Sequence, residues 1–239
     1  MSLALYRKYR PSDFSQVSGQ EHIKITLKNE LAQNKIAHAY LFSGPRGTGK
    51  TTLARILAKA VNCENRKPGE SEPCNQCSSC KAINENSALD VIEIDAASNR
   101  GINEIRELRE RVRFPPSRNK YKVFIIDEVH MLTPEAFNAL LKTLEEPPLY
   151  IIFILATTEI HKVPETIISR CQSFNFIKVE SKEIIKRLKE IVTKEGIEVE
   201  EEVIQNIVYR SEGCVRDAES LLSQILAFDG KRVTLAQAE

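Results

Sequence analysis

The sequence predicts an α/β fold: a central parallel sheet flanked by helices, followed by a small unit of three helices. Three observations predict it. Short β-rich apolar runs alternate with helix-patterned segments through residues 1–178. A glycine-rich loop ending in Lys50-Thr51 sits between the first strand run and the first strong helix pattern. After about Val179 the strand signal stops and three amphipathic stripes follow.

The expected strands are 39–43, 89–94, 123–127, 151–157 and 172–177, each an apolar run of strand length. Between them Leu53, Ile56, Leu57, Ala60 and Val61 recur at helical spacing, as do Phe137, Leu140, Leu141 and Leu144. Beyond Val179 the stripes are Ile184-Ile185-Leu188-Ile191-Val192, then Val203-Ile204-Ile207-Val208, then Ala218-Leu221-Leu222-Ile225-Leu226. Gly196 and Gly213 fall between them, where helices end. The expected division is a sheet domain over 1–178 and a helical lid over 179–239, with residues 233–239 reading as the start of a further element.

Composition narrows the function classes. Of 239 residues 42% are hydrophobic and 28% charged, enough to bury a core in water. Lys+Arg 34 against Asp+Glu 33 leaves +1, which excludes a polybasic binder and an acidic solvating chain. The charge is uneven: 25 basic and 20 acidic residues in 1–178 give +5, and 9 against 13 in 179–239 give −4. No apolar run approaches the ~18 residues of a membrane span, and Arg7-Lys8 follow too soon after Met1 for a signal peptide. The expected location is the cytoplasm, with no membrane contact.

Gly44-Pro45-Arg46-Gly47-Thr48-Gly49-Lys50-Thr51 matches G-x-x-x-x-G-K-[ST] in the required strand-to-helix context. Such a loop wraps a phosphate with backbone N–H groups, aided by the helix start that continues through Thr52. Lys50 is expected on the β- and γ-phosphates and the Thr51 hydroxyl on Mg²⁺. The run 123–127 ends in Asp127-Glu128: the first carboxylate suits the metal, the second a water attacking the γ-phosphate. A strand-end Asp-Glu pair alone would read as surface charge; beside a phosphate loop it reads as chemistry. His130 completes a D-E-x-H box and is assigned no chemistry.

Cys63, Cys74, Cys77 and Cys80 form a second constellation, the last three spaced C-x₂-C-x₂-C. Four thiolates suit a closed tetrahedral Zn²⁺ site in a loop insert at about 62–81 that Pro68, Gly69 and Pro73 keep from being helical. An iron–sulfur cluster and two disulfides are the rival readings, and no C-x₃-C-P follows to support the cluster. Cys171 and Cys214 read as ordinary buried thiols.

Taken together, these motifs resemble a known family. Tyr6-Arg7-Lys8-Tyr9-Arg10-Pro11 and Val17-Ser18-Gly19-Gln20 are similar to the N-terminal boxes of clamp-loader AAA+ ATPases. With the phosphate loop, the four-cysteine insert, Asp95-Ala96-Ala97-Ser98, Asp127-Glu128-Val129-His130 and Ser169-Arg170-Cys171, the chain resembles the gamma/tau subunits of bacterial DNA polymerase III clamp loaders. The resemblance implies an AAA+ P-loop NTPase that hydrolyses ATP. It implies Arg170 as a finger into a neighbour's ATP site, Thr157 or Thr158 (the latter preferred) as γ-phosphate sensor, and Arg216 as the lid's second sensor. Tyr9, Arg10, Pro11 and Val17 would border the adenine.

It also implies partners: delta, delta-prime and further gamma/tau subunits, the sliding clamp, and primer–template DNA touched through its backbone. Residues 100–122 hold eight basic against three acidic side chains, and Ser98, Asn99 and Arg100 at that helix start are candidate phosphate contacts. A charge run of this kind is more often a solvated helix face. Two alternatives stand beside the motor reading: a non-hydrolysing scaffold (stator) subunit of the same machine, or another DNA-acting AAA+ ATPase. The family's third, collar-forming domain would follow the lid, so the chain is expected to be a fragment of a longer protein.

Overall fold

The computed structural model of the protein describes residues 4–99, 101–226 and 232–233. In chain order the elements are α1 (Leu5–Lys8), α2 (Glu21–Gln33), β1 (Ala39–Ser43), α3 (Lys50–Asn62), α4 (Ser78–Asn84), β2 (Val91–Asp95) and α5 (Ile102–Val112). There follow β3 (Lys122–Asp127), α6 (Pro134–Glu145), β4 (Ile151–Thr157), α7 (Glu165–Ile168), β5 (Gln172–Asn175), α8 (Ser181–Glu195), β6 (Glu198–Val199), α9 (Glu201–Ser211), α10 (Val215–Ile225) and β7 (Arg232–Val233).

Five strands pair in the order β2-β3-β4-β1-β5, every pairing parallel. The middle strands β1, β3 and β4 are apolar and buried on both faces because helices cover both sides. Side chains alternate between two cores, as a period of two demands. Tyr40, Phe42, Ile125 and Ile154 pack with α2 and α3. Leu41, Phe124, Ile126 and Phe153 pack on the other face with α5 and α6. A third core, built on Ile184, Leu188, Ile191, Ile204, Ile207 and Leu222, holds α8, α9 and α10 together and takes in Leu5 of α1.

Two strands fall short of the sequence reading by two residues at one end, while β2 and β3 each gain one residue, Asp95 and Lys122. β2 starts at Val91, not 89, because Asp90 turns inward to accept three backbone N–H bonds, from Ser117, Arg118 and Asn119. β5 stops at Asn175, not 177: the Ile177 amide donates to the Gln20 side chain instead of continuing a ladder, and its own side chain faces solvent. Among the described residues no helix is long and apolar enough to cross a membrane.

Candidate functional site

The parallel sheet collects the polar residues at one edge. β3, β4 and β1 are neighbours, and Ser43, Asp127 and Thr157 are their last residues. Ligands bind at that carboxyl edge in open α/β sheets. The loop 44–49 leaves β1 there with three glycines at positive φ: Gly44 at 136°, Gly47 at 67° and Gly49 at 103°. The Gly44 amide donates to the Thr157 carbonyl at 3.2 Å and the Thr48 hydroxyl to the Pro45 carbonyl at 2.8 Å, so the loop is tied at both ends. Gly49 caps α3 with no side-chain cap, which turns the helix's first N–H groups into the loop.

Lys50 is buried, and its Nζ donates to the Gly44 and Pro45 carbonyls, each at 2.7 Å. Burial lowers its pKa and Arg216 lowers it further, while Glu128 and Asp127 pull it back up. The Thr51 hydroxyl donates to Asp127 Oδ2 at 2.8 Å, and Asp127 Oδ1 accepts the Glu128 amide at 3.0 Å. Glu128 sits in the left-handed region (φ 48°), which turns its carboxylate back to Thr158. Glu128 Oε2 accepts from the Thr158 hydroxyl at 2.9 Å and its amide at 3.3 Å.

The two threonines have different settings. Thr157 is fully buried, its hydroxyl 3.0 Å from His130 Nδ1 and accepting the Glu159 amide at 3.0 Å. Thr158 keeps its hydroxyl on Glu128. His130, given no role on sequence, bridges the ends of β3 and β4: it also lies 3.4 Å from Glu128 Oε2 and 3.1 Å from Glu159 Oε2.

A cleft lies over this loop. Arg10, Pro11 and Val17 line it with residues 46–52, Asp127, Glu128 and Arg216. Tyr9 does not. Its ring packs against the helical core and between Lys8 and Lys194, and Tyr6 of the same short helix lines the cleft instead. Both tyrosines belong to one turn of helix or its cap, so sequence alone did not fix which one faces inward. The lid closes the far side: Arg46 pairs with Asp217 at 2.9 Å, and a Cβ on Gly47 would meet Cys214 Sγ at 2.1 Å. Cys214 is the buried free thiol the sequence predicts, and it is also a point where the lid touches the loop.

Family models match the chain in two parts. One described as "DNA polymerase III, delta subunit" covers residues 19–180, and one described as "DNA polymerase III clamp loader subunit, ATPase lid domain" covers 183–231. The chain belongs to the DNA polymerase III clamp-loader family. It is 59% identical over 227 residues to subunit tau of Bacillus subtilis, 50% over 240 to subunit gamma/tau of Mycoplasma pneumoniae, and 46% over 233 to subunit tau of Escherichia coli. These alignments take in 95%, 100% and 97% of this chain but 40%, 35% and 36% of the relatives. The Holliday junction branch migration motor RuvB of Thermotoga maritima superposes with a TM-score of 0.67 at 20% identity, over 96% of this chain and 70% of that one. That likeness concerns the fold: a central parallel sheet flanked by helices and followed by a helical unit.

The remaining expected residues lie away from the cleft. In this clamp-loader chain Arg170 is at the surface after α7, its guanidinium donating to Glu145 Oε1 and the Thr166 carbonyl, each at 2.7 Å. The Ser98 hydroxyl donates to Asp95 at 2.7 Å and the Asn99 amide to the Asp95 carbonyl at 3.0 Å, which commits both donors to a turn. Arg100 lies outside the described residues.

Cys63, Cys74, Cys77 and Cys80 come together as free thiols, their sulfurs all within 4.8 Å of one another. Backbone amides donate to three of them: Cys74 to Cys63 Sγ at 3.3 Å, Gln76 and Cys77 to Cys74 Sγ at 3.4 and 3.3 Å, and Cys80 to Cys77 Sγ at 3.4 Å. Burial pushes the Cys74 thiol up, but hydrogen bonds from the Gln76 and Cys77 amides, joined by those from the Cys63 and Cys77 side chains, bring it down to about 6. Four sulfurs gathered this closely, with amides aimed at them, fit a thiolate-binding metal. Cys171 is a half-buried thiol that burial raises to about 12.

Proposed function

We infer that this chain is the ATP-hydrolysing motor portion of a gamma/tau subunit, which places a sliding clamp on primed DNA at the expense of ATP. The observation that carries the reading is the convergence of Lys50, Thr51, Asp127 and Glu128 beneath one glycine-rich loop. Residues 44–49 would cradle the phosphates, Lys50 would neutralise them, and Thr51 and Asp127 would hold Mg²⁺, which supplies charge neutralisation when bound. Glu128 would orient the attacking water once its carboxylate leaves Thr158. The Thr158 hydroxyl, more open than that of Thr157, is the better γ-phosphate sensor. Arg216 would reach the phosphates from the lid, and Arg10, Pro11 and Val17 with Tyr6 would border the base.

Zn²⁺ on Cys63, Cys74, Cys77 and Cys80 would staple the insert at about 62–81. Arg170 would serve a neighbouring subunit. Delta, delta-prime and gamma/tau partners, the clamp, backbone contacts to DNA near 98–100, a boundary at 178/179 and a cytoplasmic location complete the reading. A non-hydrolysing scaffold role is favoured by one observation, the delta-subunit description of the model matching 19–180. Against it weighs the complete phosphate loop with Glu128.

Titration of a fluorescent ATP analogue with Mg²⁺ tests the reading. Lys50→Ala should weaken binding roughly 10- to 100-fold by removing a charge-assisted contact. Glu128→Gln should bind like wild type while its turnover in a reconstituted assembly falls by about 10² or more. Unchanged affinity in Lys50→Ala would overturn the assignment, and a wild-type assembly that binds ATP without turning it over would favour the scaffold.

A further inference from the structure

The cysteine insert is not a free appendage. Its Glu72, between Cys63 and Cys74, accepts the backbone N–H of Phe14 at 2.9 Å and pairs with Lys28 of α2 at 2.7 Å. Asn75, between Cys74 and Cys77, reaches the Ser12 hydroxyl at 3.4 Å. Lys59 of α3 is buried and donates three bonds at once: to the Ser12 carbonyl at 2.6 Å, to Asn75 Oδ1 at 2.8 Å and to Asn84 Oδ1 at 2.8 Å. Insert, helix and N-terminal segment meet at one ammonium.

The segment they hold, residues 12–14, is flanked by cleft residues. Pro11 precedes it and Val17 follows within one turn, and both line the nucleotide cleft. Phe14 is fully buried and anchors the segment in the core shared with α3. Val17 is the nearest neighbour of the loop at Gly49, its Cγ1 3.8 Å from where a Cβ there would sit. Thus a contact made by the insert is four residues or fewer from the wall of the cleft.

We propose that the metal-binding insert sets the nucleotide affinity of the cleft, with Glu72 as the positioning residue that transmits it through the Phe14 amide. A two-site coupling of this kind is reciprocal: if an ordered insert tightens nucleotide binding, bound nucleotide must tighten the insert's hold on its metal by the same factor. Couplings of this kind commonly amount to about 5- to 150-fold, and a single amide contact belongs at the low end. The inference rests on the cleft being a nucleotide site and on Zn²⁺ at the four cysteines.

The test uses the 239-residue chain and two readouts that do not require turnover. Zinc affinity is measured at equilibrium by competition with a chromophoric chelator, with and without MgATP, and the affinity for a fluorescent ATP analogue is measured in parallel. ATP should tighten zinc binding by wild type several-fold. Glu72→Ala should keep one equivalent of zinc, lose roughly five-fold in ATP affinity and hold zinc with an affinity that ATP no longer changes. Glu72→Gln retains a carbonyl oxygen for the Phe14 amide and should restore most of both effects, which a general folding defect would not. A zinc affinity indifferent to ATP in wild type, or Glu72→Ala matching wild type in both readouts, overturns the linkage while leaving the nucleotide site intact. A wild-type chain that binds no ATP at all overturns the nucleotide reading itself, and a chain purified without zinc overturns the metal reading.

Discussion

The glycines of the phosphate loop are not interchangeable. Gly44 combines a φ of 136° with a backbone obstacle: a Cβ there would lie 2.2 Å from the Phe176 carbonyl oxygen. Neither atom can swing aside as a side-chain tip would. Gly49 has a comparably unusual φ, 103°, but its Cβ would meet only Val17 at 3.8 Å. Gly44→Ala should therefore lose about 2–3 kcal/mol of stability and Gly49→Ala about 1 kcal/mol, the strain alone. Urea unfolding of both variants checks the order, and equal losses would show that the Phe176 contact does not limit the loop. The motif's spacing made these residues legible at once, because each has a duty that only its residue type can perform. The sequence held no comparable signal for Tyr6 against Tyr9, or for His130, whose bridging depends on β3 and β4 lying side by side.

Apolar periodicity reported α3, α6 and the lid helices because their buried stripes are long and regular. α2 carries a thinner stripe, Ile23, Leu27 and Leu31, and its buried Lys24 donates to the Val17 carbonyl at 2.8 Å, so a buried charge blurs the pattern. The pairing of Arg187 on α8 with Glu219 on α10 at 2.9 Å was equally hidden, since nothing local links residues 32 apart. Both side chains are buried, and Arg187 also donates to the Tyr9 carbonyl, which fastens the segment after α1 to the lid. Burial raises the Glu219 carboxyl above its usual range, although Arg187 pulls it down. Arg187→Ala should strand that carboxylate at a cost of about 3–5 kcal/mol. With the variant's folded-state pKa raised further, the deficit relative to wild type is fullest at pH above it and shrinks as pH falls toward the wild type's own folded value, itself raised by burial. Melting curves of the variant and wild type from pH 8 to pH 5 should converge, and a constant gap would assign the loss to packing.

At the scale of the whole molecule the α/β cores and the lid core border the cleft over the glycine-rich loop, the site proposed for nucleotide. Lys50, Arg10 and Arg216 line it, whereas Arg170 does not, and its guanidinium is held on Glu145 and the Thr166 carbonyl at the surface. A guanidinium placed there can serve phosphoryl transfer only if the phosphate belongs to another subunit. Supplied that way, an arginine is worth about 10³–10⁵ in rate because it meets charge that develops in the transition state. Arg170→Ala should accordingly leave this chain's own affinity for ATP within about twofold of wild type, since no contact to its own cleft is lost. In a reconstituted clamp-loader assembly the same substitution should reduce turnover at the adjoining site by about 10³. Mixing decides the direction: a wild-type site facing an Arg170→Ala neighbour should be slow, and an Arg170→Ala site facing a wild-type neighbour should run normally. The opposite pattern would place the arginine in its own subunit's reaction, and equal rates in both arrangements would leave it as a surface pair with Glu145.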